Sequence, residues 1–265
     1  MHIKRIIQTC TQIVNLIFMN LFFRLFGKKQ LVAPFDLSNL ENDMHSHLIP
    51  GIDDGSQSMD ETIAMLCKFE NLGYKKVITT PHIMNEVYNN TEEIILNGLA
   101  EVQLEAKNLG LKIEIQAAAE YYFDEILIEK VKNGSVLSFG DRYVLIEFSF
   151  QSPPVFESQL FFEMQMAEYK PVLAHFERYS YYHDSLDKAI ELRSKGVNIQ
   201  VNLNSLTGHY GPKVRKQAER LIDSNLVDFV GSDCHRMQHL LHLEENLSLP
   251  YFHALSKLNL KNKNL

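Results

Sequence analysis

Six short motifs constrain the fold most strongly, because each places histidines or carboxylates at or near the end of a short apolar run. The motifs are Asp43-Met44-His45-Ser46-His47, Asp53-Asp54-Gly55, Pro81-His82, Glu120, His175-Phe176-Glu177-Arg178 and Asp233-Cys234-His235. Most of the apolar runs read as β-strands. The carboxyl ends of successive parallel strands converge at one rim of a barrel, where polynuclear hydrolytic metal sites are built. The motifs therefore predict a barrel with a metal site at one end.

Strands and helices alternate along the chain. The predicted strands cover residues 42–47, 76–80, 111–118, 143–148, 172–175, 198–203 and 227–232. The predicted helices cover residues 58–72, 91–109, 157–169, 185–195 and 212–224. This alternation implies parallel strands joined by right-handed crossovers, and ligands at strand ends favour a closed barrel over an open sheet. Residues 30–42 are expected to be a linker, and the tail after Leu249 is expected to be a helix that frays.

Length and composition limit the classes of protein. The 265 residues fit one large α/β domain or two small ones. A net charge of −7 argues against nucleic-acid binding, which needs a basic surface. Cys10, Cys67 and Cys234 are odd in number and far apart, so they form no disulfide framework. A reducing cytoplasmic location is the expectation.

Residues 1–29 differ from the predicted barrel domain of residues 30–265. Apolar residues from Ile6 to Leu25 follow helical spacing, and basic residues flank or interrupt them. Polar interruptions argue against a transmembrane helix, and no cleavage site suggests a signal peptide. Three interpretations stay open: an amphipathic helix in which residues 4–29 lie on the inner membrane leaflet, a segment that docks on a partner, or a true start at Met19.

Two pairs of candidate ligands share the same spacing. His45 and His47 are two residues apart in a predicted strand, so both imidazoles face the same side. Two histidines on one face are natural ligands for a transition metal, although a solvated pair at a loop edge is the alternative. Asp233 and His235 repeat the spacing at the last strand. Together the two pairs predict that the first and last strands supply ligands to the same metal site and complete it.

Single candidate ligands follow the other strands. His82, Glu120 and His175 end the second, third and fifth strands, and a carboxylate such as Glu120 can bridge two cations. Asp54 is a further candidate ligand, although Asp53 or Asp54 could equally be the turn-forming residue of its loop. Cys234 is expected to point away from the metals into the barrel wall.

Arg178 is the candidate phosphate-binding residue. It follows His175 by three positions, and a guanidinium can grip two phosphate oxygens at once, whereas a surface salt bridge with Glu177 is the alternative. No cysteine is followed six residues later by arginine, which excludes a cysteine-nucleophile phosphatase. The sequence also lacks a GxSxG elbow and a Walker A loop.

At these residues the chain resembles the PHP (polymerase and histidinol phosphatase) superfamily. Within it, the chain is most similar to the bacterial manganese-dependent protein-tyrosine phosphatases of capsule and exopolysaccharide operons. The blocks that carry the resemblance are Asp43–Gly55, Thr79–His82, Leu145–Phe148, Ala174–Tyr179 and Ser232–His235, within a matched region from about Phe35 to about Leu240. The resemblance implies a distorted (β/α)7 barrel that hydrolyses phosphotyrosine on a protein, namely a membrane-anchored tyrosine kinase.

The resemblance also implies a site of up to three metal ions, with Mn²⁺ expected and Fe, Zn or Co as alternatives. His45, His47, Glu120 and Asp233 would hold the first ion. Glu120 would bridge to a second ion shared with His82 and His175. Asp54 and His235 would hold the third, and Arg178 would bind phosphate. A separate hypothesis about the reaction is that Asp54 or a metal-bound water assists the leaving group.

The chain departs from the family pattern at Phe176, Cys234 and Leu240, where proline, alanine and a second phosphate-binding arginine are usual. Arg236 is the residue that would replace the missing arginine. Two other functions stay open: a phosphatase acting on a small phosphomonoester such as histidinol phosphate, and a catalytically idle regulatory module that binds metal.

Overall fold

The computed structural model describes residues 32–265, of which Pro34–Leu265 form one compact unit. The amphipathic segment predicted for residues 1–29 lies outside the described residues. Within residues 32–265, no helix is both long and apolar enough to span a bilayer.

Nine short strands form the sheet framework of this described region, and every pair of strands is parallel. They are β1 (Asn42–Asp43), β2 (Lys76–Thr79), β3 (His82–Ile83), β4 (Glu114–Ala117), β5 (Glu120–Tyr122), β6 (Tyr143–Glu147), β7 (Lys170–Leu173), β8 (Asn198–Asn202) and β9 (Phe229–Gly231). The helices are α1 (Met59–Asn71), α2 (Glu92–Asn108), α3 (Glu125–Lys132), α4 (Glu157–Met166), α5 (Asp187–Ser194), α6 (Leu203–Thr207), α7 (Pro212–Asp223), α8 (Met237–Asn246) and α9 (Pro250–Leu255).

Two of the barrel strands are broken in the middle. β2 and β3 are the halves of one strand interrupted before Pro81, which has no N–H to donate to a neighbouring strand. β4 and β5 are the halves of the next strand, and their break lies opposite the first one, since Ala117 pairs with Thr79 and Glu120 pairs with His82. Counting the halves together gives seven barrel strands.

The first and last of these strands close the ring. A parallel bridge joins Ser46 to Cys234. The N–H of Asp233 donates to the carbonyl of His45 at 2.8 Å, and the N–H of His47 donates to the carbonyl of Cys234 at 2.9 Å. The predicted α/β architecture, a distorted barrel of seven parallel strands, is confirmed, and each predicted strand overlaps an observed one.

Apolar side chains fill both sides of the barrel wall. In β6, Val144 and Ile146 belong to the large core between strands and helices. Leu145 belongs to a smaller inner cluster with Met44, Ile78, Val172 and Phe229. Because side chains alternate along a strand, Leu145 and Glu147 share the inner face. The apolar cluster thus lies beneath the polar rim of the barrel.

Two sequence predictions at the ends of the domain were wrong. The expected linker packs into the core, since Phe35, Leu37 and Leu40 are buried. The tail does not fray: after α9 a short 3-10 turn, Lys261–Asn264, places Asn262 inside the protein. The Asn262 amide donates to the carbonyl of Val230 and accepts from its N–H, as a neighbouring strand would.

Candidate metal centre

The structure brings all eight predicted ligands together at the carboxyl ends of the strands. In three groups the potential ligand atoms lie within 4.8 Å of one another: His45, His47 and Asp233; His45, Glu120 and His175; and His47, Asp54, His82 and His235. Most of these side chains are buried, whereas Asp54 is 55% exposed at the rim. The site is therefore a deep cluster that opens to solvent on one side.

Glu120 lies at the centre of the cluster. Its Oε1 is 3.0 Å from His175 Nε2, and its Oε2 is 3.1 Å from His45 Nε2. His47 Nε2 and His82 Nδ1 lie 3.4 and 3.3 Å from the same Oε2. Burial alone would raise the pKa of Glu120, but the surrounding histidines outweigh it and hold the pKa well below its usual value. An ionised carboxylate with different histidines on its two oxygens suits a ligand that bridges two cations.

Backbone conformation at two of the predicted ligands is strained. His175 and Asp233 adopt positive φ angles of 32° and 51°, which residues with a Cβ rarely do. The two carboxylate oxygens of Asp233 have different partners. Oδ1 faces His45 Nε2 at 3.4 Å, and Oδ2 accepts a hydrogen bond from Asn202 Nδ2 at 2.6 Å. One oxygen is therefore fixed by the protein while the other faces the cluster.

Several histidines are oriented by acceptors behind them. His45 Nδ1 lies 3.2 Å from Gln200 Oε1, and His47 Nδ1 lies 2.8 Å from Asp53 Oδ2. Because both oxygens only accept, each Nδ1 carries the hydrogen and leaves Nε2 to face the cluster. Burial favours a lower pKa for His47, but the bonds to Asp53 and Glu120 raise its pKa well above the usual value.

Glycine at position 55 allows this arrangement. A Cβ at Gly55 would lie 2.3 Å from the carbonyl oxygen of His47 and 2.9 Å from Asp53 Oδ1. The N–H of Gly55 also donates to Asp53 Oδ1 at 2.9 Å. The Asp53-Asp54-Gly55 loop can therefore fold against His47 only with glycine in third place.

Two site residues were not identified as such from the sequence. Glu147 is buried, with Oε1 3.5 Å from His175 Nε2 and Oε2 3.9 Å from His82 Nδ1. Burial and the charge of Glu120 raise its pKa well above the usual value. Its place at the end of β6 was the available signal. Asp53 forms the turn considered for it, since its Oδ1 accepts the N–H of Gly55, and its Oδ2 is in addition the acceptor behind His47.

Asp54 lies beside His235 as the resemblance implies, whereas His82 differs in detail from the implied grouping. Asp54 Oδ1 lies 3.4 Å from His235 Nε2 and 3.6 Å from His82 Nε2. A hydrogen bond from His235 lowers the pKa of Asp54, as suits a carboxylate that binds a cation, and its part in assisting the leaving group stays a prediction. His82 was expected to share a cation with Glu120 and His175, but it faces two groups of predicted ligands. Its Nδ1 points to Glu120, and its Nε2 points to Asp54. Its Nδ1 is buried without a hydrogen-bond partner among the described residues. A buried ring nitrogen without such a partner fits a metal ligand.

Arg178 borders the cluster rather than the outer surface. Its Nη1 lies 3.2 Å from Asp233 Oδ2, and its guanidinium is sandwiched 4.6 Å from the Phe150 ring and 4.5 Å from the Tyr210 ring. Glu177 points elsewhere and accepts from the N–H of Asn202 at 3.0 Å. Arg178 therefore presents a fixed cation to the site. In the alternative considered from the sequence, a surface salt bridge with Glu177, the guanidinium would not face the site.

Positions 234, 236 and 240 occupy different environments. Cys234 is buried, with Sγ 3.7 Å from Met65 Sδ, so it faces the core as expected. Leu240, at the position of the usual second arginine, is completely buried. Arg236 lines the cavity of about 320 Å³ above the cluster, together with Arg178 and His239. The cavity thus has a second cation at a different position.

Donor atoms of this kind, imidazole nitrogens and carboxylate oxygens around a shared carboxylate, fit divalent transition metals. The fold and the cluster together define an α/β barrel with a candidate polynuclear metal centre at the carboxyl ends of its strands.

Comparison with known proteins assigns the chain to a family. The chain belongs to the CpsB/CapC family of capsular polysaccharide synthesis, whose model matches residues 41–242. CapC of Staphylococcus aureus is 34% identical over 196 residues, 73% of this chain and 76% of CapC. YwqE of Bacillus subtilis, named as a tyrosine-protein phosphatase, is 29% identical over 197 residues, 74% of this chain and 78% of YwqE. The resemblance inferred from the motifs is thereby confirmed.

Solved structures agree with the fold. A crystal structure from a pair comprising YwqE of B. subtilis and CpsB of Streptococcus pneumoniae, described as metal-dependent tyrosine phosphatases, superposes with a TM-score of 0.70 at 27% identity. The match covers 83% of this chain and 96% of that chain. An amidohydrolase of Mycoplasma synoviae, with a TM-score of 0.53 at 12% identity over 86% of this chain and 88% of its own, shares the fold alone.

Proposed function

We propose that this protein is a metal-dependent protein-tyrosine phosphatase of capsule or exopolysaccharide synthesis. The observation that carries the proposal is Glu120, whose two oxygens face different histidines in a buried cluster of nitrogen and oxygen donors. Family membership supports the same function, since relatives that cover three quarters of this chain are named tyrosine-protein phosphatases.

The proposed metal ligands are the eight predicted residues together with Glu147. The eight are His45, His47, Asp54, His82, Glu120, His175, Asp233 and His235. Bound divalent cations would lower the pKa of water and neutralise phosphoryl charge, which are the two requirements for hydrolysing a phosphate ester at neutral pH. Mn²⁺ is the proposed cation, with Fe, Zn or Co as alternatives that the same donors accept.

Arg178 and Arg236 are proposed to bind the phosphate. Arg178 is held beside Asp233 and between two aromatic rings, so its guanidinium is already oriented when a phosphate enters. Arg236 is exposed at the rim, where its Nε donates to His239 Nε2 at 3.2 Å. Within residues 32–265 its other N–H groups have no hydrogen-bond partner and are available to a ligand. Fixed cations stabilise the charge that spreads over the phosphoryl oxygens.

The proposed substrate is a phosphotyrosine protein, in particular a membrane-anchored tyrosine kinase. We also propose that residues 4–29 hold the phosphatase at the inner face of the membrane beside that kinase, because their apolar residues follow helical spacing with basic residues around them. A chain that begins at Met19 should then leave the membrane fraction of cells. Equal fractionation of both chains would contradict the membrane role.

Hydrolysis of a phosphotyrosine peptide tests the proposed function. Purified protein with added Mn²⁺ should release phosphate, a chelator should abolish the activity, and His45→Ala should lack it. A preference for histidinol phosphate over every phosphotyrosine peptide would contradict the proposed substrate class. Bound metal without activity on either substrate would contradict the enzymatic function.

A further inference from the structure

A second cavity opens directly beside the candidate metal centre. It has a volume of about 650 Å³, compared with about 320 Å³ for the cavity above the metal ligands. The two cavities share Asp54, His235 and Arg236 at their common edge. The larger one extends from that edge between α1 and α8, and we call it the α1–α8 cleft.

The α1–α8 cleft has an apolar base and polar edges. Met65 is almost completely buried, whereas Ala64 in α1 and Gln238 in α8 are exposed at its sides. The side-chain amide of Gln238 has no hydrogen-bond partner within residues 32–265. Gln57 donates from Nε2 to the carbonyls of Asp53 and Gly55, which leaves its oxygen as an acceptor. Such a surface provides amide groups for a peptide backbone and adaptable apolar contacts for side chains.

The size of the α1–α8 cleft indicates which class of substrate would use it. The smaller cavity has the size of a small-ligand site, so a free phosphomonoester has no need for the larger one. The metal ligands lie deep, and a side chain that reaches them must leave its own backbone at the rim. The α1–α8 cleft starts at that rim, where Asp54 and Arg236 stand.

We propose that the α1–α8 cleft binds the peptide chain adjacent to the phosphotyrosine, so that the substrate is recognised as a peptide and not only as an aryl phosphate. This inference rests on the proposed phosphatase function and names the surface that distinguishes a protein substrate from a small one. Contacts to the flanking residues change little as phosphorus is attacked, so the cleft contributes to KM more than to kcat.

The test fills the cleft without touching the metal ligands. Ala64→Trp and Gln238→Trp place an indole at two exposed positions that line it. Ala100→Trp is the matched control, because Ala100 is an exposed alanine in α2 outside the cleft. Each full-length variant is assayed with Mn²⁺ on a phosphotyrosine peptide that has flanking residues on both sides, and on p-nitrophenyl phosphate. Binding of a fluorescent peptide with a non-hydrolysable phosphotyrosine analogue is measured by anisotropy.

The two cleft variants should raise KM for the peptide by about tenfold and weaken the analogue peptide similarly, while p-nitrophenyl phosphate hydrolysis stays within about twofold of wild type. Ala100→Trp should change none of these values. Peptide KM and binding at wild-type levels in both cleft variants, or equal losses on both substrates, would overturn the inference. If the wild type hydrolyses neither substrate, the proposed function fails, and the anisotropy measurement still decides whether the cleft binds the peptide.

Discussion

Gln200 Oε1 lies 3.2 Å from His45 Nδ1, and the same oxygen accepts the backbone N–H of His175 at 2.7 Å. Gln200 Nε2 donates to Asn202 Oδ1 at 2.9 Å, and Asn202 in turn donates to Asp233. β8 therefore contributes no predicted metal ligand but connects three of them. Buried outer partners of this kind fix the orientation of metal ligands and tune their affinity.

Substitution of Gln200 should weaken metal binding without removing a ligand. In Gln200→Met both hydrogen-bonding ends are lost, and Mn²⁺ affinity measured by calorimetry should fall by about 10–100-fold. Gln200→Glu retains an acceptor for His45 but loses the donor to Asn202, so its loss should be smaller. Equal affinities in wild type and Gln200→Met would show that the connection does not support the metal centre.

Gly55→Ala should disturb the site by displacing His47, against which the Gly55 loop packs. The added methyl group overlaps the carbonyl of His47, and overpacking of this kind typically costs about 1–3 kcal/mol of unfolding free energy. Thermal denaturation and Mn²⁺ content should both decrease. Gly51→Ala is the control, since a Cβ there meets no atom within 4 Å and only the positive φ of 72° is unfavourable. A Gly55→Ala protein with normal Mn²⁺ content would refute the tight packing against His47.

Arg178→Ala should separate phosphate binding from metal binding. Loss of a fixed cation at the phosphoryl oxygens should lower kcat/KM for a phosphotyrosine peptide by about a hundredfold. Arg178→Lys should recover only part of it, because an ammonium group cannot form the bidentate contact. Elemental analysis should find the Mn²⁺ content unchanged. Loss of Mn²⁺ from Arg178→Ala would instead mean that the pairing with Asp233 has a structural role.

The stabilisation that Mn²⁺ provides should increase with pH. In the metal-free protein the pKa of His47 is raised, so the bonds of its protonated form stabilise the fold fully below the unfolded pKa and are lost as pH rises through the folded pKa. A cation must displace this proton and that of Glu147, and both displacements become easier as pH rises. The increase in melting temperature on adding Mn²⁺ should therefore be larger at about pH 8 than at about pH 6. An equal increase at both values would contradict proton competition at the site.

The sequence predicts the barrel well because most of its strands are short apolar runs followed by a histidine or a carboxylate. The strand-end argument applies to His82 and His175 without knowledge of the fold. The same argument, applied to Glu147 at the end of β6, would have added it to the ligands. The alternation that turns Glu147 inward is clear only when the barrel is closed.

Other features depend on contacts that are distant in the sequence. Gln200 and Asn202 act on His45 and Asp233 across the barrel, and no local pattern distinguishes them from ordinary strand amides. Asn262 joins the barrel by bonding to Val230, 32 residues away, so its Lys- and Asn-rich surroundings misled the prediction of a fraying tail. Asp53 forms the turn considered for it, but the contact between its other oxygen and His47 depends on how the loop folds back and has no signal in the local sequence.

The most direct test of the account is the number of Mn²⁺ ions bound per chain, measured by calorimetry and elemental analysis on wild type and on Glu120→Gln. The substitution preserves shape but removes the charge at the centre of the cluster. The account predicts that the wild type binds more than one Mn²⁺ and that Glu120→Gln loses at least one of them together with phosphotyrosine hydrolysis. A wild-type protein that binds no divalent cation, or a Glu120→Gln protein that binds and hydrolyses as well as wild type, would contradict it.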